Sequence, residues 1–94
     1  SAYDIALVEL ENCLSSGITV EDEVERKLLV QTIEDFLDTL SRDSRVIFMR
    51  RYWFCDNYAE IAKQVGISEK TVSVRLTRIR DQLREHLTKK GVLA

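Results

Sequence analysis

Turn-forming residues are scarce throughout the chain, and this scarcity limits the folds that are open to it. The 94 residues include no proline and only three glycines. All-β folds need frequent turns, and glycine and proline are among the residues that tight turns use most. A chain of this length forms one small domain with a modest core. We therefore predict a single all-α domain of four helices joined by short turns.

The composition is typical of a soluble globular protein. Apolar residues make up 45% of the chain and charged residues 32%. No apolar run approaches the roughly 20 residues that cross a bilayer, and no segment resembles a signal peptide. Cys13 and Cys55 form no close-spaced pair. We therefore predict two free thiols in a reducing compartment and a cytoplasmic location.

Charge is distributed unevenly along the chain. Residues 1–40 contain ten acidic and two basic residues, whereas residues 41–94 contain six acidic and twelve basic residues. The net charge of −2 therefore hides a negative first part and a positive second part. This asymmetry indicates a cationic surface directed at an anionic partner, although a solvated helix face would look the same.

Two helices are predicted in the first half of the chain. Thr19 is a plausible N-cap for a helix from about residue 20 to 40, with acidic residues in its first turn. Ser41 is the predicted cap of a second helix that ends near residues 53–55. The apolar residues at helical spacing are Val20, Val24, Leu28, Ile33, Leu37 and Leu40 in the first helix, and Val46, Ile47, Met49 and Tyr52 in the second.

A short third helix is marked at both ends. Asn57 and Glu60 have the spacing of a capping box, which predicts a helix over residues 58–65. Gly66 follows at the position where such a helix needs a residue with positive φ. Ser68 then has the position of an N-cap for a fourth helix.

The fourth helix has three different sides. At 100° per residue, Leu76, Ile79, Leu83 and Leu87 fall within about 60° of Val72, which predicts one buried seam. The side opposite the seam carries mostly small polar residues near the N-terminus of the helix, namely Lys70, Ser73, Val74 and Thr77. Basic residues lie along both edges of this side. One edge holds Thr71, Arg75 and Arg78, and the other holds Arg80 and Arg84.

The connection between the third and fourth helices predicts a helix-turn-helix motif. Ala62 is small where two helices must approach closely, Gly66 makes the turn, and Ile67 and Val72 close the corner. A basic-edged second helix with small polar residues in front suits the major groove of DNA. The alternative is a helical hairpin whose exposed face is merely solvated.

The motif region resembles a known family. The stretch "YAEIAKQVGISEKTVSVRLTRIRDQLREHL" and the preceding "FLDTLSRDSRVIFMRRYWFCDNYAEIA" are similar to region 4 of sigma-70 family factors, especially the extracytoplasmic-function type. The resemblance covers roughly residues 24–88 and implies a three- to four-helix bundle with a C-terminal helix-turn-helix, a geometry related to winged-helix domains. Leu40-Ser41 stands where such factors usually have Leu-Pro.

The resemblance implies a DNA-contacting set. In the family, the second helix of the motif enters the major groove of the −35 promoter element. The alternative role of Arg75 is an ion pair with an acid of the first helix. The alternative role of Val74 is packing against a protein partner. The implied DNA-binding residues are Lys70, Thr71, Ser73, Val74, Arg75, Thr77 and Arg78, with Arg50, Arg51 and Lys63 as weaker candidates for backbone contacts.

The resemblance also implies protein partners. Region 4 of the family docks on the flap of the RNA polymerase β subunit through an apolar groove, and an anti-sigma factor is a further possible partner. Residues 1–18 would be an interdomain linker or N-terminal extension, and residues 19–94 the DNA-binding domain of a larger sigma factor or of a lone region 4 protein. Candidate groove residues are Phe36, Phe48, Trp53 and Phe54, with the core as their alternative location.

Other function classes have less support in the sequence. His86 is the only histidine, and neither a Gly-rich phosphate loop nor a Cys/His cluster is present, so we predict no enzyme, no metal and no cofactor. Two non-enzymatic alternatives stay open. One is an output domain of the LuxR type, although such domains usually carry His at the position of Arg75. The other is an interaction module that binds anti-sigma factors as a decoy.

Overall fold

A computed structural model describes residue 9 and residues 23–91, apart from the side chains of residues 25 and 26. These residues form four helices and no strand, which confirms the all-α prediction. The predicted N-cap at Thr19 and the predicted linker, except for residue 9, lie outside the described residues. The helices are α1 (Glu23–Thr39), α2 (Arg42–Tyr52), α3 (Tyr58–Val65) and α4 (Glu69–Lys89).

The predicted caps of α2, α3 and α4 are confirmed. The Ser41 side chain accepts a hydrogen bond from the Ser44 amide, and Ser68 accepts one from the amide of Thr71 at 3.1 Å. At the start of α3, Asn57 Oδ1 accepts from the Glu60 amide at 2.8 Å, and Glu60 Oε1 accepts from the Asn57 amide at 3.3 Å. These bonds satisfy N–H groups that a helix start would otherwise leave unpaired, so local sequence sets where three helices begin.

The core is built around the seam of α4. All five seam residues are buried, with exposures between 0% and 2%. They pack against side chains from each of the other three helices, so α4 is held as the central element of the bundle. The seam is Val72, Leu76, Ile79, Leu83 and Leu87, and its buried apolar partners are Phe36, Ile47, Phe48, Ile61 and Ala62.

The inward face of α1 differs from the predicted stripe. Val24 is 75% exposed and Leu28 is 56% exposed, whereas Thr32 and Phe36 are buried. Residues one or two turns from Phe36 on the same face of α1 pack on the core. Val24 lies about 120° around the helix from Phe36, so its side chain is directed away from the core. Thr32 tolerates burial because its hydroxyl donates to the Leu28 carbonyl at 2.7 Å. The half-buried residues of this face are Leu29, Ile33, Leu37 and Leu40.

The turn of the helix-turn-helix depends on Gly66. Its φ of 79° and ψ of 35° lie in the left-handed region, as predicted. The amides of Gly66 and Ile67 both donate to the Ala62 carbonyl, at 2.8 and 3.1 Å. A Cβ at Gly66 would meet nothing within 4 Å, so conformation rather than space selects glycine here. The turn fixes the angle at which α4 leaves α3.

The connection from α2 to α3 contains a second left-handed residue, which is not a glycine. Cys55 has a φ of 61°, and it is a free, half-buried cysteine. The next amide, that of Asp56, donates to the Arg50 carbonyl at 2.9 Å and closes the loop back onto α2. The predicted free thiol of Cys13 lies outside the described residues. Within those residues, no helix is both long and apolar enough to cross a membrane.

Candidate nucleic-acid interface

The predicted DNA-contacting residues lie on the side of α4 that faces away from the seam and along one of its edges. We call these seven residues the α4 front. None of the seven is buried, although they are not equally accessible. Val74 is 49% exposed, so its methyl groups are accessible to a partner. Lys70, Val74, Thr77 and Arg78 are exposed, and Thr71, Ser73 and Arg75 are half-buried.

Two arginines of the α4 front have no acidic partner in the part of the chain that the structure describes. No carboxylate among the described residues forms an ion pair with Arg75 or Arg78. The alternative in which Arg75 pairs with an acid of α1 is therefore not observed there. Both arginines line a crevice with Ser41 and Ser44, at the N-terminus of α2. The unpaired N–H groups of a helix start add positive potential at such a place, although Asp43 in the same crevice offsets part of it.

Two hydroxyl groups of the α4 front are already hydrogen-bonded within the helix. The Thr71 hydroxyl lies 2.8 Å from the Ser68 hydroxyl, so it belongs to the cap of α4. The Thr77 hydroxyl donates to the Ser73 carbonyl at 3.0 Å and accepts from Arg80 Nη2 at 3.2 Å. Both side chains are thus held in fixed orientations, and Thr77 connects the front to the edge of α4.

The three weaker candidates for DNA-backbone contacts have different surroundings. Lys63 is exposed on α3. Arg50 pairs with Asp56 at 3.2 Å, which neutralises its charge. Arg51 is buried, with its side chain 8% exposed, and its guanidinium stacks over the Tyr58 ring at 4.8 Å. Of the three, only Lys63 is freely available to a backbone phosphate in this structure.

A polar cluster that no sequence pattern indicated surrounds Glu9. Its Oε2 accepts from Arg51 Nε at 3.0 Å and from Arg51 Nη2 at 2.6 Å. Its Oε1 accepts from the Tyr58 hydroxyl at 2.6 Å, from the Tyr52 hydroxyl at 3.1 Å and from Arg80 Nη1. Arg80 Nη1 also donates to the Tyr52 hydroxyl at 2.9 Å. We call Arg51, Tyr52, Tyr58 and Arg80 the carboxylate clamp.

Charges and burial in the clamp favour the ionised form of Glu9. Burial alone would raise the pKa of Glu9, but the hydrogen bonds of Tyr58 and Arg51 and the charges of Arg51 and Arg80 outweigh it and hold the pKa below 4.5. Burial and the nearby carboxylate raise the pKa of both tyrosines. Burial opposes the charge of Arg80, but its tyrosine and Glu9 neighbours raise its pKa. Glu9 is therefore anionic and the tyrosines are neutral donors.

The clamp joins three helices. Arg51 and Tyr52 end α2, Tyr58 begins α3, and Arg80 lies in the middle of α4. Glu9 is 42 to 71 positions away from its partners along the chain, so no local spacing indicates the contact. The only sequence signal was the negative charge of the first 40 residues, which did not single out Glu9.

Of the four candidate groove residues, two are buried and two are exposed. Phe36 and Phe48 are 3% and 5% exposed and belong to the core, so their assignment to a partner groove is wrong. They lie on the inward faces of α1 and α2, where burial of their large apolar rings stabilises the core. Trp53 and Phe54, just after α2, are 73% and 65% exposed. A groove beside them is lined by Arg45, Val46, Met49, Arg50 and Phe54.

One protein family matches this chain in sequence. The family model described as sigma-70, region 4 matches residues 31–83, which is more than half of the chain. The match runs from the second half of α1 into α4 and includes the whole α4 front. A comparison with curated proteins found no matching sequence.

Proposed function

The chain belongs to the sigma-70 region 4 family, and we propose that it binds the −35 element of promoter DNA as the C-terminal domain of a sigma factor. In this role it directs RNA polymerase to promoters at transcription initiation, in the cytoplasm. The observation that carries the proposal is the α4 front. It projects small and methyl-bearing side chains, together with two arginines that pair with no carboxylate of the described residues, from a helix whose opposite side is buried in the core.

The chemistry of the α4 front suits base reading in the major groove. Guanidinium groups such as that of Arg75 or Arg78 donate two hydrogen bonds to guanine, or bind a phosphate. Val74 offers methyl groups that suit contact with a thymine methyl. The hydroxyl of Thr77 is positioned by its bonds to Ser73 and Arg80, so little side-chain entropy is lost on binding.

A second surface supports contact with RNA polymerase. Trp53 and Phe54 are exposed apolar rings, and the adjoining groove combines Val46 and Met49 with the basic Arg45. Exposed aromatic groups of this kind mark protein interfaces more often than free surface. In the proposed function, this groove receives an apolar segment of the polymerase β-subunit flap.

A double charge reversal tests the DNA-binding proposal. Replacing Arg75→Glu and Arg78→Glu should abolish measurable binding of a promoter duplex in fluorescence anisotropy. The wild-type chain should bind with a dissociation constant of roughly 10⁻⁴ to 10⁻⁶ M and a log–log salt slope of about −4 to −5. The matched control is Lys89→Glu with Lys90→Glu, which makes the same charge change at the exposed C-terminal end of α4.

The outcome separates the proposed function from a decoy role. If the chain acts only by binding an anti-sigma factor, the Arg75/Arg78 variant and the control should behave alike toward DNA. Normal footprinting of DNA by the Arg75/Arg78 variant would reject the placement of the α4 front in the groove. A flat salt response of the wild-type chain would reject phosphate contacts altogether.

A further inference from the structure

The carboxylate clamp gathers more anion-binding groups than a single glutamate needs. Two guanidiniums and two phenol hydroxyls converge on the two oxygens of Glu9. These donors come from three helices of the folded body, whereas Glu9 comes from the segment before them. The folded body therefore supplies an anion site, and the preceding segment supplies the anion.

The clamp touches the α4 front, which is the surface that would face DNA. Arg80 Nη2 donates to the Thr77 hydroxyl, so one guanidinium touches both the clamp and the α4 front. Tyr58 is the first residue of α3, the first helix of the motif. In helix-turn-helix proteins this first helix crosses the DNA backbone. The clamp thus lies where a backbone phosphate passes if α4 enters the groove.

A phosphate and a carboxylate present the same chemistry to the clamp. Guanidinium groups bind either anion through paired N–H donors, and a phosphodiester offers acceptor oxygens to the two tyrosine hydroxyls as well. The side chains of Arg80 and Glu9 are 17% and 20% exposed, so the contact is reachable from solvent at its edge. Displacing Glu9 would make the hydrogen-bond donors of the clamp available to the incoming anion.

We propose that Arg51, Tyr52, Tyr58 and Arg80 form an anion site that Glu9 occupies in the free protein and that a DNA backbone phosphate takes over on binding. Glu9 is thereby an intramolecular competitor of DNA. The proposal rests on the DNA-binding function proposed above. Because Glu9 is tethered to the site, its effective concentration there is high without any partner being present. The competition lowers DNA affinity until other contacts compensate.

Duplex binding by a Glu9 variant tests the competition. Glu9→Gln should bind the promoter duplex about 5- to 10-fold more tightly than the wild-type chain, a coupling in the usual range for linked sites. The control Glu34→Gln removes the same charge from an exposed position on α1 and should leave the affinity nearly unchanged. Equal affinities of the wild-type chain and Glu9→Gln would overturn the competition and leave the DNA-binding proposal standing.

A thermodynamic cycle with Arg80 sharpens the test. Arg80→Gln should lower duplex affinity more in the Glu9→Gln background than in the wild-type background, because in the latter Glu9 already holds Arg80. Circular dichroism at the temperature of the binding experiment identifies the folded fraction of each variant, and the affinities refer to that fraction. Strictly additive effects of the two substitutions would contradict the proposal.

Inorganic phosphate tests the anion site without DNA. In Glu9→Gln, the NMR signals of the Arg51 and Arg80 guanidinium Nε groups should shift saturably as phosphate is added. In the wild-type chain the same titration should move them much less. Absence of the saturable shift in Glu9→Gln would overturn the site. If Glu9→Gln binds phosphate but neither Glu9→Gln nor the wild-type chain binds the duplex, both the competition and the proposed function are overturned.

Discussion

The arginines of the α4 front and those of the carboxylate clamp have opposite surroundings. Arg75 and Arg78 are free of carboxylates among the described residues and point to the surface. Arg51 and Arg80 share one carboxylate and are mostly buried, with side-chain exposures of 8% and 17%. The same residue type therefore stabilises the fold in one region, and in the other it is left available for a partner.

The difference explains how a chain with a net charge of −2 can still offer a cationic surface. Glu9 neutralises Arg80 at one edge of α4 and Arg51 at the end of α2, and no carboxylate in the described part of the chain pairs with Arg75 or Arg78. Paired charges contribute to folding, whereas unpaired exposed charges contribute little to it. Substitutions in the two regions should therefore differ in their effect on stability.

The largest expected effect on stability comes from Arg51. Arg51→Ala should lower the free energy of unfolding by about 3 kcal/mol, because it leaves the Glu9 carboxylate and the Asp56 carbonyl without their main donor. Arg78→Ala, on the α4 front, should change it by less than about 0.5 kcal/mol. Urea unfolding of the two variants compares the regions directly. Similar losses in both would contradict the distinction between them.

Acid titration isolates the contribution of Glu9. Its pKa is lowered in the folded state, so its stabilisation is fully present above the unfolded pKa and is lost as the pH falls through the lowered folded pKa. Glu9→Gln should cost about 2 kcal/mol at neutral pH, and this difference from the wild-type chain should shrink below pH 4.5. A difference that stays constant through the acid range would mean that the carboxylate charge is not what stabilises the clamp.

The Gly66 turn sets the direction of α4 and hence of its front. Gly66→Ala should destabilise the chain by about 1 kcal/mol, because alanine is strained in the left-handed region and the site is otherwise open. Thermal unfolding measures the loss. An unchanged midpoint would show that the turn readily adopts another conformation, and the orientation of the front would then be less firmly fixed than the structure indicates.

The smallest expected effect concerns the loop between Arg51 and Tyr58, which positions the clamp. Cys55→Gly should raise the free energy of unfolding by about 0.5 kcal/mol, because glycine adopts the φ of 61° at this position without strain. The larger conformational entropy of glycine in the unfolded chain offsets part of this gain. Cys55→Ser keeps the strain and serves as the control. Equal stabilities of the two variants would show that the left-handed conformation is not costly here.

The helices and the front could be predicted from sequence because their signals are local. Caps such as Asn57 with Glu60 act over three residues, and the α4 seam repeats at helical spacing. The start of α2, both ends of α3 and the buried state of Val72 and Leu87 followed from these patterns, whereas α2 ends at Tyr52, slightly before the predicted residues 53–55. The exposure of the side opposite the seam and of its basic edges followed once the seam was placed, whereas the choice of the seven residues of the α4 front came from the family resemblance.

The clamp and the inward face of α1 could not be predicted in the same way. Glu9 is one of ten acids in the first 40 residues, and only the folded arrangement of three helices selects it. In α1, apolar residues occur on more than one side, so periodicity alone did not place Phe36 inside and Val24 outside. Both cases depend on tertiary contacts that no short window of sequence contains.

A titration of the isotope-labelled chain with promoter duplex, followed by NMR, tests the central claim most directly. The amide signals of residues 70–78 and the guanidinium signals of Arg75 and Arg78 should shift most and saturate together. Signals of the exposed side of α1 should stay in place. Perturbations confined to α1 or to Trp53 and Phe54, with the α4 front unmoved, would contradict the account.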